Sequence, residues 1–281
     1  MNTEPVQINV SDVLRQKAPN AKVPEFVVNY LRRIVHEEEM NVFLRQHVGE
    51  TGYVFLDHVV HNLLGCNAVL HGAENIPIGE APVIFVSTHP LGGLDGMINA
   101  MLLHEYRQRE MKLIVTDLLM YMRPLEELFV PVNKVGSQSK EYARLQSQMW
   151  DSGCDVLSFP SGKCARLEKQ SMFSKAAVTE QPWQHGVIKK AVQYKRDIVP
   201  IRFDGINSSF FYKLAYWRTK LGVKQNIEML YLADEMFKAH GKNFHVHVLP
   251  AVPWQTFDDT RTPRQWAEWL REHTCVPQQL K

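Results

Sequence analysis

Apolar and polar positions along this chain follow two different periods. In residues 24–44, Phe26, Val27, Tyr30, Leu31, Ile34 and Val35 recur every three to four positions, which predicts one amphipathic helix. Residues 52–64 repeat the pattern, with Phe55, Val59, Val60, Leu63 and Leu64 on one side. From residue 68 onward, short β-branched and aromatic runs alternate with helix-length segments. Strands are predicted at 68–71, 83–87, 112–115, 130–132, 156–159, 199–203 and 244–249, and helices at 96–109, 140–152 and 185–194. A last helix is predicted over 263–273, where Trp266, Trp269 and Leu270 share a face. This alternation predicts an α/β fold, a largely parallel central sheet with helices on both faces. Residues 1–22 are polar and contain proline, and read as only partly ordered. With no repeat or low-complexity linker, one domain is expected. It divides into an N-terminal helical segment, 1–67, and an α/β segment, 68–281. The N-terminal helices have two possible fates, covering the sheet or lying on a membrane, and covering the sheet is the commoner.

Composition narrows the function classes. A chain of 281 residues with 45% hydrophobic content can bury a full core, and a net charge of +2 makes it no general polyanion binder. The charge is uneven: residues 185–245 hold eleven Lys/Arg against five Asp/Glu, whereas residues 1–80 hold six against ten. A basic second half is compatible with docking on anionic lipid and equally with an ordinary solvated face. Its aromatic residues, Trp183, Tyr194, Phe210, Phe211, Tyr212, Tyr216 and Trp217, form no nucleic-acid recognition module, so no nucleic-acid partner is expected. Cys66, Cys154, Cys164 and Cys275 have no paired spacing and no secretory leader precedes them, which predicts reduced thiols in a cytoplasmic protein. No run approaches the roughly 20 apolar residues that span a bilayer, so membrane contact is expected to be peripheral.

Three strand exits carry candidate chemistry. Val83-Ile84-Phe85-Val86-Ser87 runs into Thr88-His89-Pro90-Leu91-Gly92-Gly93-Leu94-Asp95, a turn that delivers an imidazole to the lip of a sheet with a carboxylate nearby. A histidine fixed in one tautomer by a carboxylate is what general-base catalysis near neutral pH requires. One His near one Asp is commonly just a satisfied loop histidine. The second exit shifts that balance: Asp155-Val156-Leu157-Ser158 ends in Phe159-Pro160-Ser161-Gly162-Lys163-Cys164-Ala165-Arg166, a turn bearing two cations. The third, around Val199-Pro200-Ile201, follows after a helix-length gap. Gly162-Lys163 is no nucleotide loop, since Leu157 stands where its first glycine belongs and Cys164 replaces the Ser/Thr. His245 and His247 share one face of a strand but lack a third ligand at metal-site spacing, so no metal is expected.

These motifs resemble the glycerolipid acyltransferases of the lysophosphatidic acid acyltransferase (PlsC-like) superfamily. His89 to Asp95 looks like its histidine–aspartate motif, Phe159-Pro160-Ser161-Gly162 like its Phe-Pro-Glu-Gly block, and Val199-Pro200-Ile201 like its late Val-Pro-Ile block. Residues Phe129 to Lys134 lie where a weaker block is expected. The His-Pro-Leu-Gly-Gly-Leu-Asp form is closest to a bacterial branch related to lyso-ornithine-lipid O-acyltransferases. The chain departs from the family in two places. Five residues separate His89 from Asp95 where four are usual, and Ser161 replaces the glutamate. The two glycines can absorb the extra residue; the missing glutamate weakens lysophosphatidic acid as the acceptor. The resemblance implies a glycerol-3-phosphate acyltransferase-like fold. It also implies transfer of a fatty acyl group from a coenzyme A or acyl-carrier-protein thioester to a lysolipid hydroxyl, at the inner face of the cell membrane. His89 would be the base and Asp95 its orienting partner, with Ser161, Gly162, Lys163 and Arg166 binding substrate and no resident cofactor. Backbone N–H groups around Ser161 and Gly162 are candidates for the oxyanion site. Ser87 and Ser161 are rival nucleophiles, though neither lies in a Gly-x-Ser-x-Gly elbow. The competing readings are a lipid thioesterase, with water as acceptor, and a non-catalytic lipid-binding homologue.

Overall fold

A computed structural model of the protein describes residues 7–17, 22–132, 139–168, 177–223 and 226–279. Four helices come first: α1 (Val10–Lys17), α2 (Glu25–Ile34), α3 (Glu37–Gln46) and α4 (Gly52–Asp57), the last continued by a π-helical turn over His58–Leu63. The sheet segment opens with β1 (Asn67–His71), β2 (Ile84–Ser87), α5 (Leu94–Arg107), β3 (Met111–Thr116) and β4 (Phe129–Val132). Then come α6 (Lys140–Asp151), β5 (Asp155–Ser158), β6 (Arg166–Glu168), β7 (Ala177–Thr179), α7 (Gly186–Tyr194) and β8 (Ile198–Asp204). The chain finishes with α8 (Ser209–Lys220), α9 (Leu232–Lys238), β9 (Asn243–Val248), α10 (Pro263–Thr274) and β10 (Gln278–Gln279).

Among the described residues, seven strands form one sheet in the order β1-β9-β8-β2-β5-β3-β4, and all neighbours are parallel except β8 and β9. The expected mixed, largely parallel sheet is therefore present. β2 is buried along its whole length because helices cover both faces, which is why it reads as an unbroken apolar run. Phe85 points into a core with Phe55, Val60, Leu94 and Ile98; its neighbours Ile84 and Val86 point the other way, into a core with Trp150, Ile188, Ala267 and Leu270. Phe43 and Leu44 of the N-terminal segment belong to the first of these cores, so α3, α4 and the π-helical turn cover the sheet. α10 begins where its sequence directs: Thr262 and Gln265 form a reciprocal capping box and Pro263 fills the first turn.

The helices depart from expectation in three places. The single helix expected over 24–44 is broken at His36, whose backbone is left-handed (φ 53°). That ring stacks on Phe237 at 4.0 Å and bonds Asp234 at 3.2 Å, so tertiary contacts outweigh the continuous periodicity. The polar leader contains α1, and residues 209–238 hold α8 and α9, which the sequence pattern left unassigned. A second, three-stranded antiparallel sheet, β10-β7-β6, was also unforeseen. Asn133 and Lys134 lie outside the described residues.

Candidate active site

β2, β5 and β8 are parallel, so their carboxyl ends open at one edge of the sheet, where open α/β sheets place their ligand sites. Thr88 is still stitched to β8: its N–H donates to the Ile201 carbonyl (3.0 Å) and its hydroxyl accepts from the Phe203 N–H (2.9 Å). His89 is thus the first residue beyond the ladder. Its carbonyl accepts from the Ala165 N–H at 3.0 Å, which ties it to the β5 exit. The β8 exit joins through Asn207, whose amide donates to the Pro90 carbonyl at 3.3 Å.

The His89 side chain is 15% exposed, and Nδ1 stands 3.2 Å from Asp95 Oδ2. The approach is off the line of a hydrogen bond, a looseness common in catalytic pairs before substrate binds. Phe159 packs on the imidazole at 4.4 Å between centroids. Asp95 is fully buried in the first turn of α5. Oδ2 accepts from the N–H groups of Leu91 (2.9 Å) and Gly92 (3.3 Å), and Oδ1 from Gly96 (2.8 Å). Burial alone would push this carboxyl up. The His89 ring and the Leu91 and Gly92 N–H groups outweigh it and hold the group below its ordinary value, and the positive end of α5 acts in the same sense. Gly92, between His89 and Asp95, has a φ of +82° that suits glycine, and a Cβ there would also collide with Cys164 Sγ.

The second turn is organised differently from what its sequence implies. Ser161 is buried, and its hydroxyl donates to the Lys163 carbonyl at 2.9 Å. The Gly162 N–H is committed to the Phe159 carbonyl at 2.9 Å, so it is not the free oxyanion donor that was expected. Lys163 is exposed. The Arg166 guanidinium does not reach toward His89. It bonds the buried Glu228 at 2.9 Å, which also receives Arg218 at 2.8 Å, so Arg166 braces the turn instead of presenting a free cation. Ser87 is fully buried, donating to the Thr88 carbonyl and accepting from Asn99, and is not placed as a nucleophile.

Glu180, just beyond β7, is the site residue that the sequence did not single out. It is buried, and Oε2 accepts the His89 N–H at 2.9 Å while Oε1 accepts from Trp183 Nε1 at 3.3 Å. Its carboxyl also meets the Ser161 hydroxyl. Burial pushes it above the ordinary 4.5, against the smaller opposing pull of Ser161 and the His89 N–H. A carboxyl therefore stands beside Ser161 after all, contributed from elsewhere in the chain. The only warning in the sequence is a lone acid between the apolar Ala177-Val178 and Trp183.

His245 and His247 do not converge on an ion site: His245 Nδ1 faces His71 Nε2 at 2.9 Å and His247 Nε2 faces Asp204 at 2.8 Å. Among the described residues, His47, Glu50 and His58 do cluster closely enough to hold a metal. Both rings there bond Glu50 Oε2, at 2.9 and 2.6 Å, and those bonds account for the cluster without an ion.

The sequence model described as "Acyltransferase" matches residues 12–278 of this chain. A lyso-glycine lipid O-acyltransferase of Bacteroides thetaiotaomicron is 42% identical over 267 residues, covering 94% of this chain and 95% of that protein. A second protein of that name, from Phocaeicola vulgatus, is 38% identical over 267 residues, covering 94% and 93%. Among solved structures, a 1-acyl-sn-glycerophosphate acyltransferase, PlsC, from Thermotoga maritima aligns with a TM-score of 0.43 and 13% identity over 94% of this chain and 86% of that one, too loose a likeness to bear on the chemistry.

Proposed function

The chain belongs to the acyltransferase family, a lipid O-acyltransferase by its relatives, and from that premise we propose that it moves a fatty acyl group from an acyl thioester to the hydroxyl of a lyso-glycine lipid. The observation that carries the reading is the His89–Asp95 pair, a partly exposed imidazole backed by a buried carboxylate that the His89 ring and the Leu91 and Gly92 N–H groups hold below its ordinary value. An alcohol is too weak an acid to attack unaided. As its oxygen adds to the thioester carbonyl, its proton passes to His89. The tetrahedral adduct then collapses, the carbon–sulfur bond breaks, and the thiolate leaves and regains a proton from His89. Asp95 stays charged throughout and stabilises the imidazolium formed midway. The exposed Lys163 beside the turn is available to the donor's phosphates, on either coenzyme A or an acyl carrier protein.

Glu180 serves this site as a brace: its carboxyl, raised by burial, accepts the His89 N–H and meets the Ser161 hydroxyl. The result is a continuous tie from the His89 backbone through Glu180 to the second turn. We place the protein at the inner face of the cell membrane, where thioester donors and lipid acceptors meet.

The test is incubation of the purified protein with isotopically labelled acyl-coenzyme A or acyl carrier protein, with lyso-glycine lipid or lysophosphatidic acid as acceptor, read by mass spectrometry. Formation of diacylated glycine lipid is expected. Labelled free fatty acid alone would replace this reading with hydrolysis, and diacylated phosphatidic acid alone would replace the acceptor.

A further inference from the structure

The acceptor proposed above resides in a bilayer, and among the described residues no helix is long and apolar enough to cross one. The outer face of α8 bears on where the two meet. Its inner side buries Phe211, Tyr212 and Ala215, while Phe210, Lys213, Trp217, Lys220 and Leu221 form an exposed stripe at helical spacing. Phe210 is 48% exposed, Trp217 60% and Leu221 76%. Single exposed apolar residues are ordinary, but this stripe continues onto a neighbouring element. Phe210 packs edge-on against Tyr231 at 5.0 Å, and the Tyr231 hydroxyl bonds that of Tyr30 on α2. On the exposed side of α2, Tyr30 is followed by Arg33, whose guanidinium lies 5.2 Å from its ring, and preceded by Phe26, 74% exposed. Leu230, also exposed, lies beside Tyr231 in the sequence.

The charge of α8 itself has one sign. α8 contains no Asp or Glu. The neighbouring carboxylates are held by partners: Glu228 between Arg166 and Arg218, Asp234 by Lys238 and His36, Glu235 by Ser208 and Lys238, and Glu25 by Arg32. Arg33, Lys213 and Lys220 remain facing outward. The same block backs the catalytic loop, through Asn207 on the Pro90 carbonyl and Leu232 and Met236 against Gly92 and Gly93.

We propose that the face formed by α8, Leu230, Tyr231 and the Phe26–Tyr30 edge of α2 docks on an anionic bilayer. Phe26, Phe210, Trp217 and Leu221 enter the headgroup layer, with Arg33, Lys213 and Lys220 against lipid phosphates. This rests on the proposed lysolipid acceptor. Large rings and leucine outnumber the cations, which favours a lipid interface over the acidic surface of a carrier protein.

The full chain is sedimented with phosphatidylcholine vesicles, with and without phosphatidylglycerol, and compared with the triple variant Phe210→Ser, Trp217→Ser, Leu221→Ser and the double variant Lys213→Glu, Lys220→Glu. Thermal melting checks that both are folded. The native chain is expected to prefer anionic vesicles; the triple variant should lose at least about tenfold in binding, and each charge removed should cost about fivefold on anionic vesicles. Activity on vesicle-embedded lysolipid should fall in parallel, while activity on a short-chain, monomeric lysolipid stays unchanged. Equal vesicle binding by native chain and variants overturns the proposal, as does equal loss of activity on the short-chain substrate. Unimpaired vesicle binding with lost acyl-carrier-protein binding overturns it in favour of that partner. Absence of transfer to any lysolipid by the native chain would instead refute the acceptor reading, leaving the vesicle result to be judged by itself.

Discussion

Asp95 and Asp155 are fully buried carboxylates on opposite edges of the same largely parallel sheet, and their partners differ. Asp155 opens β5 at the amino edge. It accepts from Arg107 Nε at 2.8 Å, Arg107 Nη2 at 3.1 Å and the Val83 N–H at 2.9 Å. Arg107 also bonds the carbonyls of Pro77, Gly79 and Ala81, so the ion pair gathers the loop before β2. A guanidinium does not give up its proton, and the fork geometry holds both groups still. Asp95, at the carboxyl edge, is satisfied by backbone N–H groups and faces an imidazole that approaches off-line and can change charge. The same acid is an anchor where its partner is fixed in charge, and in the proposed reaction a counter-charge where its partner can take a proton.

Removing the titratable partner should give the largest effect. His89→Ala is expected to lower acyl transfer on the order of 10³–10⁴-fold with an unchanged melting temperature; a purified variant that keeps most of its turnover would end the base assignment. Asp95→Asn should cost less, on the order of 10²–10³-fold in kcat with little change in KM, because the amide no longer stabilises the imidazolium. Equal rates for Asp95→Asn and the native chain would move Asp95 into the structural class of Asp155.

The opposite edge should respond in stability instead. Arg107→Ala leaves Asp155 charged and buried, and a loss of about 3–5 kcal/mol is expected in denaturant unfolding, with turnover per folded molecule unchanged. A turnover defect in folded protein would blur the distinction between the two edges.

Glu180 tests the comparison most finely, being a third buried carboxyl and one that burial raises. Glu180→Gln keeps a donor and an acceptor and should retain activity within about fivefold, whereas Glu180→Ala should lose on the order of tenfold or more, since it breaks a buried network. Because burial raises this group in the folded state, the native form keeps a proton that the unfolded chain releases above about pH 4.5. Native stability relative to Glu180→Gln should therefore fall as pH rises from that value toward the folded pKa, and then level off. A difference independent of pH would show that the fold does not raise this carboxyl.

The part of the site that was legible in the sequence is local. His89 and Asp95 lie six positions apart on one loop, and the β2, β5 and β8 runs are apolar enough to reveal the exits that carry them. What was missed depends on distant partners. Glu180 is tied to a backbone N–H 91 positions away, and Arg166 is claimed by Glu228, 62 positions on, so a turn cation looked free when it was not. α8 escaped notice because Phe211 and Tyr212 point inward while Phe210 and Trp217 point outward, which erases the contrast that periodicity detects. The break at His36 has no local cause, since Phe237 and Asp234 impose it.

The pairing of β1 has a consequence for how the molecule is made. Among the described residues, 67–71 find their one ladder with 243–247, more than 170 positions on. During synthesis that strand waits with its edge open until nearly everything else has emerged, because non-local pairing closes late. A ribosome stalled before residue 243 would hold a nascent chain whose first strand still lacks its partner, a natural point for a chaperone to engage.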